Sequence, residues 1–149
     1  MSQSQHTTYF TCHIDNAGLA DYLERFNVCH KLGLSLGYEY VHTPFSIPRS
    51  SKNIESFLGL SDYFPLRIED PSLENCSPVR IDLNSVFKNN AFHTLQELQD
   101  FIKQCASEIS LSSEHKIIVS FWLNRSKFSS TLSRKGLFSR IYNFLNKIF

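Results

Sequence analysis

The sequence predicts an α/β fold, a three-layer Rossmann-like domain with about four mostly parallel strands. Three observations predict it. Tyr9 to Pro44 reads as strand, tight loop, amphipathic helix and strand, and short loops between such elements make a right-handed βαβ unit with parallel strands. His115 to Leu123 is a nearly continuous apolar run, as suits a central parallel strand covered on both faces. Strand-like and helical segments alternate over 149 residues, enough for one domain with a substantial core.

Tyr9-Phe10-Thr11-Cys12-His13-Ile14 is rich in aromatic and β-branched residues and reads as the first strand. Asp15-Asn16-Ala17-Gly18 follows as a turn. Leu19 to Leu32 is helical by period, with Leu19, Tyr22, Leu23, Phe26 and Cys29 on one stripe and Asp21, Glu24, Arg25 and Lys31 off it. Gly33 and Gly37 release the chain into a second strand, Tyr38–His42. Pro44 and Pro48 keep the next residues extended or turned. Asn53 can cap a short helix through Ile54, Phe57 and Leu58 that ends at Gly59.

Asp62 to Pro78 has no clear period and holds Pro65, Pro71 and Pro78, so a wandering surface loop is expected. Val79-Arg80-Ile81-Asp82-Leu83 alternates apolar and charged residues, the pattern of an edge or half-exposed strand. Thr94-Leu95-Gln96-Glu97 is a capping box. It opens a helix with Leu95, Leu98, Phe101, Ile102, Cys105 and Ile109 on one face. After the strand ending at Leu123, residues 124–134 are polar and Ser-rich. Gly136 to Phe149 is a last helix bearing Leu137, Phe138, Ile141, Leu145, Ile148 and Phe149. The division expected is a Rossmann-like domain over 1–123, with a basic loop and amphipathic helix over 124–149 packed on it.

Hydrophobic residues make up 42% of the chain, which argues against disorder. No apolar run approaches the roughly 20 residues that span a bilayer. Met1-Ser2-Gln3-Ser4-Gln5 has no basic residue and no apolar stretch after it, so a secretory signal is not expected and a cytoplasmic location is. Cys12, Cys29, Cys76 and Cys105 show no C-x-x-C spacing and read as small buried thiols, so neither zinc nor a thioredoxin-type site is expected. Residues up to Glu114 carry eight of the fifteen Lys and Arg and all fourteen Asp and Glu. From His115 onward there are seven basic residues and no acid, which suggests a basic tail with a role of its own or a chain end missing its acidic surroundings.

In open parallel sheets ligands bind beyond the carboxyl ends of the strands, so the turn Asp15–Gly18 is the first candidate site. It lacks the glycine pattern of a dinucleotide fold and the Gly-Lys-Ser/Thr of a phosphate loop, so no cofactor is expected. It does offer a helix N-terminus, where free amides favour an anion or a sugar hydroxyl; equally, Asp15 or Asn16 can simply cap the helix. No histidine pair sits at metal-binding spacing, so no metal is expected. His13 and His42 lie near the carboxyl ends of strands expected to be neighbours and could face one crevice as base or hydroxyl ligand; satisfied strand-end histidines are the alternative. No Ser-His-Asp order or nucleophile elbow is legible, and the catalytic residues stay unassigned. Trp122, at a strand end, reads as core. The basic tail lacks the aromatic interleaving of a nucleic-acid surface, so no nucleic-acid partner is expected.

The strand, Asn16-Ala17-Gly18-Leu19-Ala20-Asp21, then Leu23, Phe26, Cys29 and Leu32-Gly33, then Leu36-Gly37-Tyr38, resembles the opening of the GT-B fucosyltransferases, the α-1,2-fucosyltransferase and nodulation-fucosyltransferase groups. Gly18-Leu19-Ala20-Asp21 stands where that family has Gly-Leu-Gly-Asn. The resemblance covers about a quarter of the chain. It implies a glycosyltransferase-like first domain with Asp15, Asn16, Gly18, Asp21 and His42 lining the acceptor crevice. It also implies inverting, essentially metal-independent transfer through attack by an acceptor hydroxyl. The family has a second Rossmann-like domain that holds the nucleotide sugar against an H-x-R-R-x-D type motif. No such motif occurs here, and Asn124-Arg125-Ser126 is the nearest arginine after a strand. The resemblance therefore implies a truncated domain, inactive alone, whose partners are a nucleotide sugar or glycan acceptor and a second domain or chain. The competing expectation is a non-enzymatic α/β module whose basic helix, 136–149, docks on a partner or a membrane surface.

Overall fold

The apolar run at the end of the chain forms the strand about which the other elements are arranged. A computed structural model describes residues 7–14, 18–45, 53–110, 116–123, 141 and 143–147. In chain order they form β1 (Thr8–His13), α1 (Leu19–Ser35), β2 (Glu39–Tyr40), α2 (Ile54–Phe57), α3 (Leu60–Tyr63), a 3-10 turn (Pro71–Leu73), β3 (Ser77–Asp82), α4 (Leu83–Asn89), α5 (Leu95–Ser110) and β4 (Ile117–Trp122). The last described residues, 141 and 143–147, are helical. The four strands make one all-parallel sheet in the order β2-β1-β4-β3. The fold is Rossmann-like α/β, as the sequence predicts. Among the described residues no helix is long and apolar enough to cross a membrane.

One face of the sheet carries the main core. Phe10, Cys12, Val79, Ile81, Val119 and Phe121 point into it. They meet Val28, Cys29 and Leu32 of α1, and Leu98, Ile102 and Ala106 of α5. Ile141 and Leu145 are fully buried in the same cluster, so the helical residues near the C-terminus cover the sheet rather than stand apart. The opposite face has a thinner cover. Tyr9, Val41, Leu73 and Ile118 are buried there against Leu66, Ile68 and Cys76.

That second cluster corrects the reading of Asp62 to Pro78 as a wandering surface loop. His42 N–H donates to the carbonyl of Leu66, and Ile68 N–H to the carbonyl of His42, at 2.8 and 2.9 Å. The short parallel bridge between His42 and Arg67 thus lays Leu66 and Ile68 against the sheet. β2 is correspondingly shorter than expected. Only Glu39 and Tyr40 pair in register with β1; Val41 N–H still donates to the Phe10 carbonyl at 2.8 Å, and His42 bonds the 66–68 segment on the opposite edge.

α1 also differs from its predicted stripe. Its buried residues are Tyr22, Arg25, Val28, Cys29, Leu32 and Gly33, whereas Leu23 is 42% exposed. The axis of contact explains this. A Cβ built at Gly33 would run into the Phe10 ring, so the helix approaches β1 most closely through Cys29 to Gly33. At about 100° per residue Leu23 lies about 120° around the helix from Cys29, and Arg25 only about 40°. α4 was not foreseen. Asp82 ends β3 and caps α4 at once, its Oδ1 accepting from Ser85 N–H at 3.3 Å, so no turn signal separates strand from helix.

Other local readings hold. Asn53 Oδ1 accepts from Ser56 N–H at 3.2 Å, and Gly59 then adopts the left-handed conformation at φ 64°. Thr94 Oγ1 accepts from Glu97 N–H at 3.2 Å, while Glu97 reaches back to His93 N–H at 2.7 Å, one residue beyond the expected box. β3 is the edge strand that its alternation predicts, and β4 lies between β1 and β3.

Candidate functional site: the carboxyl edge of β1, β4 and β3

β1 and β4 are adjacent and parallel in the middle of the sheet, so their carboxyl ends lie side by side. In open parallel sheets ligands bind beyond this edge. The residues there follow from register. On the thinly covered face, Tyr9, Ile118 and Pro78 form one rank across the strands, Thr11, Ser120 and Arg80 the next, and His13, Trp122 and Asp82 the last. The ranks pass from apolar to polar toward the carboxyl ends. Tyr9 and Ile118 are buried, Ser120, His13 and Trp122 are half-buried, and Arg80 is exposed.

In the last two ranks the side chains stack across the strands. The His13 ring lies 3.6 Å from the Trp122 ring, centre to centre. The guanidinium carbon of Arg80 lies 3.7 Å from the Trp122 centroid, within cation–π range. Arg80 comes from β3 and His13 from β1, on the two sides of β4. Thr11 Oγ1 and Thr43 Oγ1 share a hydrogen bond of 2.6 Å beside them. Asp82 is turned to its capping bond with Ser85.

Gly18 N-caps α1 in an extended conformation, φ −68° and ψ 169°, and its carbonyl accepts from Tyr22 N–H at 2.8 Å. Among the described residues, a Cβ there would meet nothing within 4 Å. Asp21 is exposed in the first turn of α1. Asp15 and Asn16 lie outside the described residues.

His42 is placed differently from His13. Register and alternation put Tyr40 on the α1 face with Phe10, and His42 follows it there, whereas His13 points to the opposite face. The two histidines do not share a crevice. His42 is 1% exposed and both ring nitrogens are engaged. Nε2 lies 2.8 and 2.9 Å from the two Glu55 carboxylate oxygens, and Nδ1 lies 2.9 Å from the Tyr40 hydroxyl. Glu55 also accepts from Phe45 N–H at 2.9 Å and pairs with Arg67 at 3.6 Å. Phe64 stacks on the His42 ring at 5.4 Å. Burial pushes the Tyr40 hydroxyl well above its ordinary value of 10, so it stays protonated. This network joins the end of β2 to α2 and to the 66–68 segment, and it supports the carboxyl edge from the other face.

Sequence reasoning missed Arg80 and read Trp122 as core. Arg80 shows only as one charged position in an alternating strand, and its meeting with Trp122 needs the β3–β4 register. Among the described residues no three His, Cys, Asp or Glu side chains gather as a metal site. No family of known proteins, no curated protein and no solved structure matches this chain.

Proposed function

We propose that this chain is a glycosyltransferase-like domain of the GT-B fucosyltransferase kind, which contacts a glycan acceptor at the carboxyl ends of β1 and β4. A second domain or chain supplies the nucleotide-sugar donor. The observation that carries this reading is the stack of His13, Trp122 and Arg80 across the carboxyl ends of three adjacent parallel strands, with α1 following β1 from Gly18 onward. A sugar ring has an apolar face and a rim of hydroxyls. An aromatic and imidazole surface edged by Thr11, Ser120 and backbone amides suits both parts. In this reading Gly18 and Asp21 line the entrance, Asp15 and Asn16 are kept as acceptor contacts by the family resemblance alone, and His42 positions β2 from beneath. A cytoplasmic location belongs to the same reading.

Chemical-shift mapping of the labelled chain with small saccharides tests it. Shifts at His13, Gly18 and Trp122 are expected. Shifts confined to residues 65–78 would sink the placement. Mass spectrometry with GDP-fucose and glycan acceptors tests the division of labour: no product is expected from the chain alone, and a product would mean that it carries its own donor site.

A further inference from the structure

We propose that the carboxyl half of this sheet face is an oxyanion-recognition site, with Arg80 as the ligand and Trp122 as the platform that holds it. Taken with the proposed function, on which this last step rests, it makes the acceptor an anionic saccharide such as a uronic acid or a sugar phosphate.

Three observations carry this. The first is the rank order, apolar at Tyr9 and Ile118 and polar in the two ranks that hold Arg80, Ser120, His13, Trp122 and Asp82, which places Arg80 toward the edge where ligands bind. The second is preorganisation. Arg80 is exposed, yet its guanidinium carbon sits 3.7 Å from the Trp122 centroid, so the group is held over the indole before any ligand arrives. A guanidinium offers a fork of N–H groups for a two-pronged bond to carboxylate or phosphate, which a lysine ammonium cannot match. The third is the lack of a competing anion. Among the described residues, no carboxylate forms an ion pair with Arg80, and the nearby Asp82 is bonded to Ser85 N–H.

Trp122 is the chain's single tryptophan, so its fluorescence reports on the platform directly. The whole chain is titrated with inorganic phosphate, glucuronate and neutral galactose, and the wild type is compared with Arg80→Gln and Arg80→Lys, each checked for folding by circular dichroism. The expected result is that phosphate and glucuronate change Trp122 emission and that galactose binds about tenfold more weakly than glucuronate. Arg80→Gln should erase that preference. Arg80→Lys should keep the charge but lose most of the preference, and it serves alone if the glutamine variant does not fold. Equal binding of glucuronate and galactose, or an unchanged preference in either variant, overturns the oxyanion site while leaving the acceptor reading standing. Phosphate binding lost in Arg80→Gln, with neither saccharide bound, supports the site and overturns the acceptor reading. No change in Trp122 emission with any of the three overturns both.

Discussion

The Tyr40 hydroxyl lies 2.9 Å from Nδ1 of His42, two residues further along the chain, and this contact fixes how the imidazole is used. Nε2 faces the two oxygens of Glu55, which only accept, so Nε2 presents a proton to them. Nδ1 shares the second bond with the Tyr40 hydroxyl, which burial keeps protonated. The chain Tyr40–His42–Glu55 is a satisfied buried network. Breaking it at one member strands the others.

Glu55→Gln should therefore destabilise the protein by about 1–3 kcal/mol, since the amide cannot accept from His42, Phe45 N–H and Arg67 together. Urea denaturation measures it. Glu69→Gln is the control. Its carboxylate is 63% exposed and 3.9 Å from Arg67, and its loss should stay within about 0.5 kcal/mol. Equal effects of the two substitutions would show that the buried network adds nothing.

A second expectation concerns pH. Burial lowers the pKa of His30 below its ordinary 6.5, and the ring lies among Phe26, Tyr40 and Phe64. The neutral form is favoured in the folded chain, so the unfolded chain binds more protons as pH falls. Stability should be unaffected by this group above pH 6.5 and should fall as pH drops from there through the lowered pKa. Melting temperatures between pH 7.5 and 5 should fall less steeply in His30→Phe. Identical slopes would mean that His30 is not the group responsible.

A third prediction separates two glycines. Gly33→Ala drives a methyl group into the Phe10 ring and should cost about 1–3 kcal/mol. Gly18→Ala meets open space at an extended position and should change stability by less than about 1 kcal/mol. A tolerated Gly33→Ala in thermal melts would mean that α1 can lift from β1 freely.

Leu145→Ala tests the helical residues at the end of the chain. Leu145 is fully buried in the main core, so its truncation should cost about 2–5 kcal/mol. An unchanged melting temperature, together with sedimentation of the wild type onto anionic liposomes, would make the segment a membrane device instead.

The legible parts of the fold were those whose signal is local. The apolar run of β4, the alternation of β3 and the Thr94–Glu97 cap each state their element within a few residues. β2 was overestimated because Tyr38–His42 has strand composition throughout, whereas only Glu39 and Tyr40 pair in register with β1. α4 was invisible because Asp82 serves strand and cap together. The site divides the same way. The order of elements pointed to the carboxyl end of β1 as a candidate site, but Arg80, Trp122 and His13 come from three strands. Their meeting depends on a register that no single segment encodes. Glu55 and His42 were likewise joined only by the path of the chain between them.

The central pairing of the sheet also sets a timetable. Residue 9 pairs with residue 118, so β1 cannot meet its principal neighbour until most of the chain has been synthesised. At about 5–20 residues per second on the ribosome, that is roughly 5–20 s. Through that interval β1 has only the two-residue ladder with β2 to occupy one edge, and the other edge is open to any passing strand. Yield in a cell should therefore respond to translation speed and chaperone supply more than to small changes in the finished core, because the vulnerable species is a nascent chain that still lacks β4.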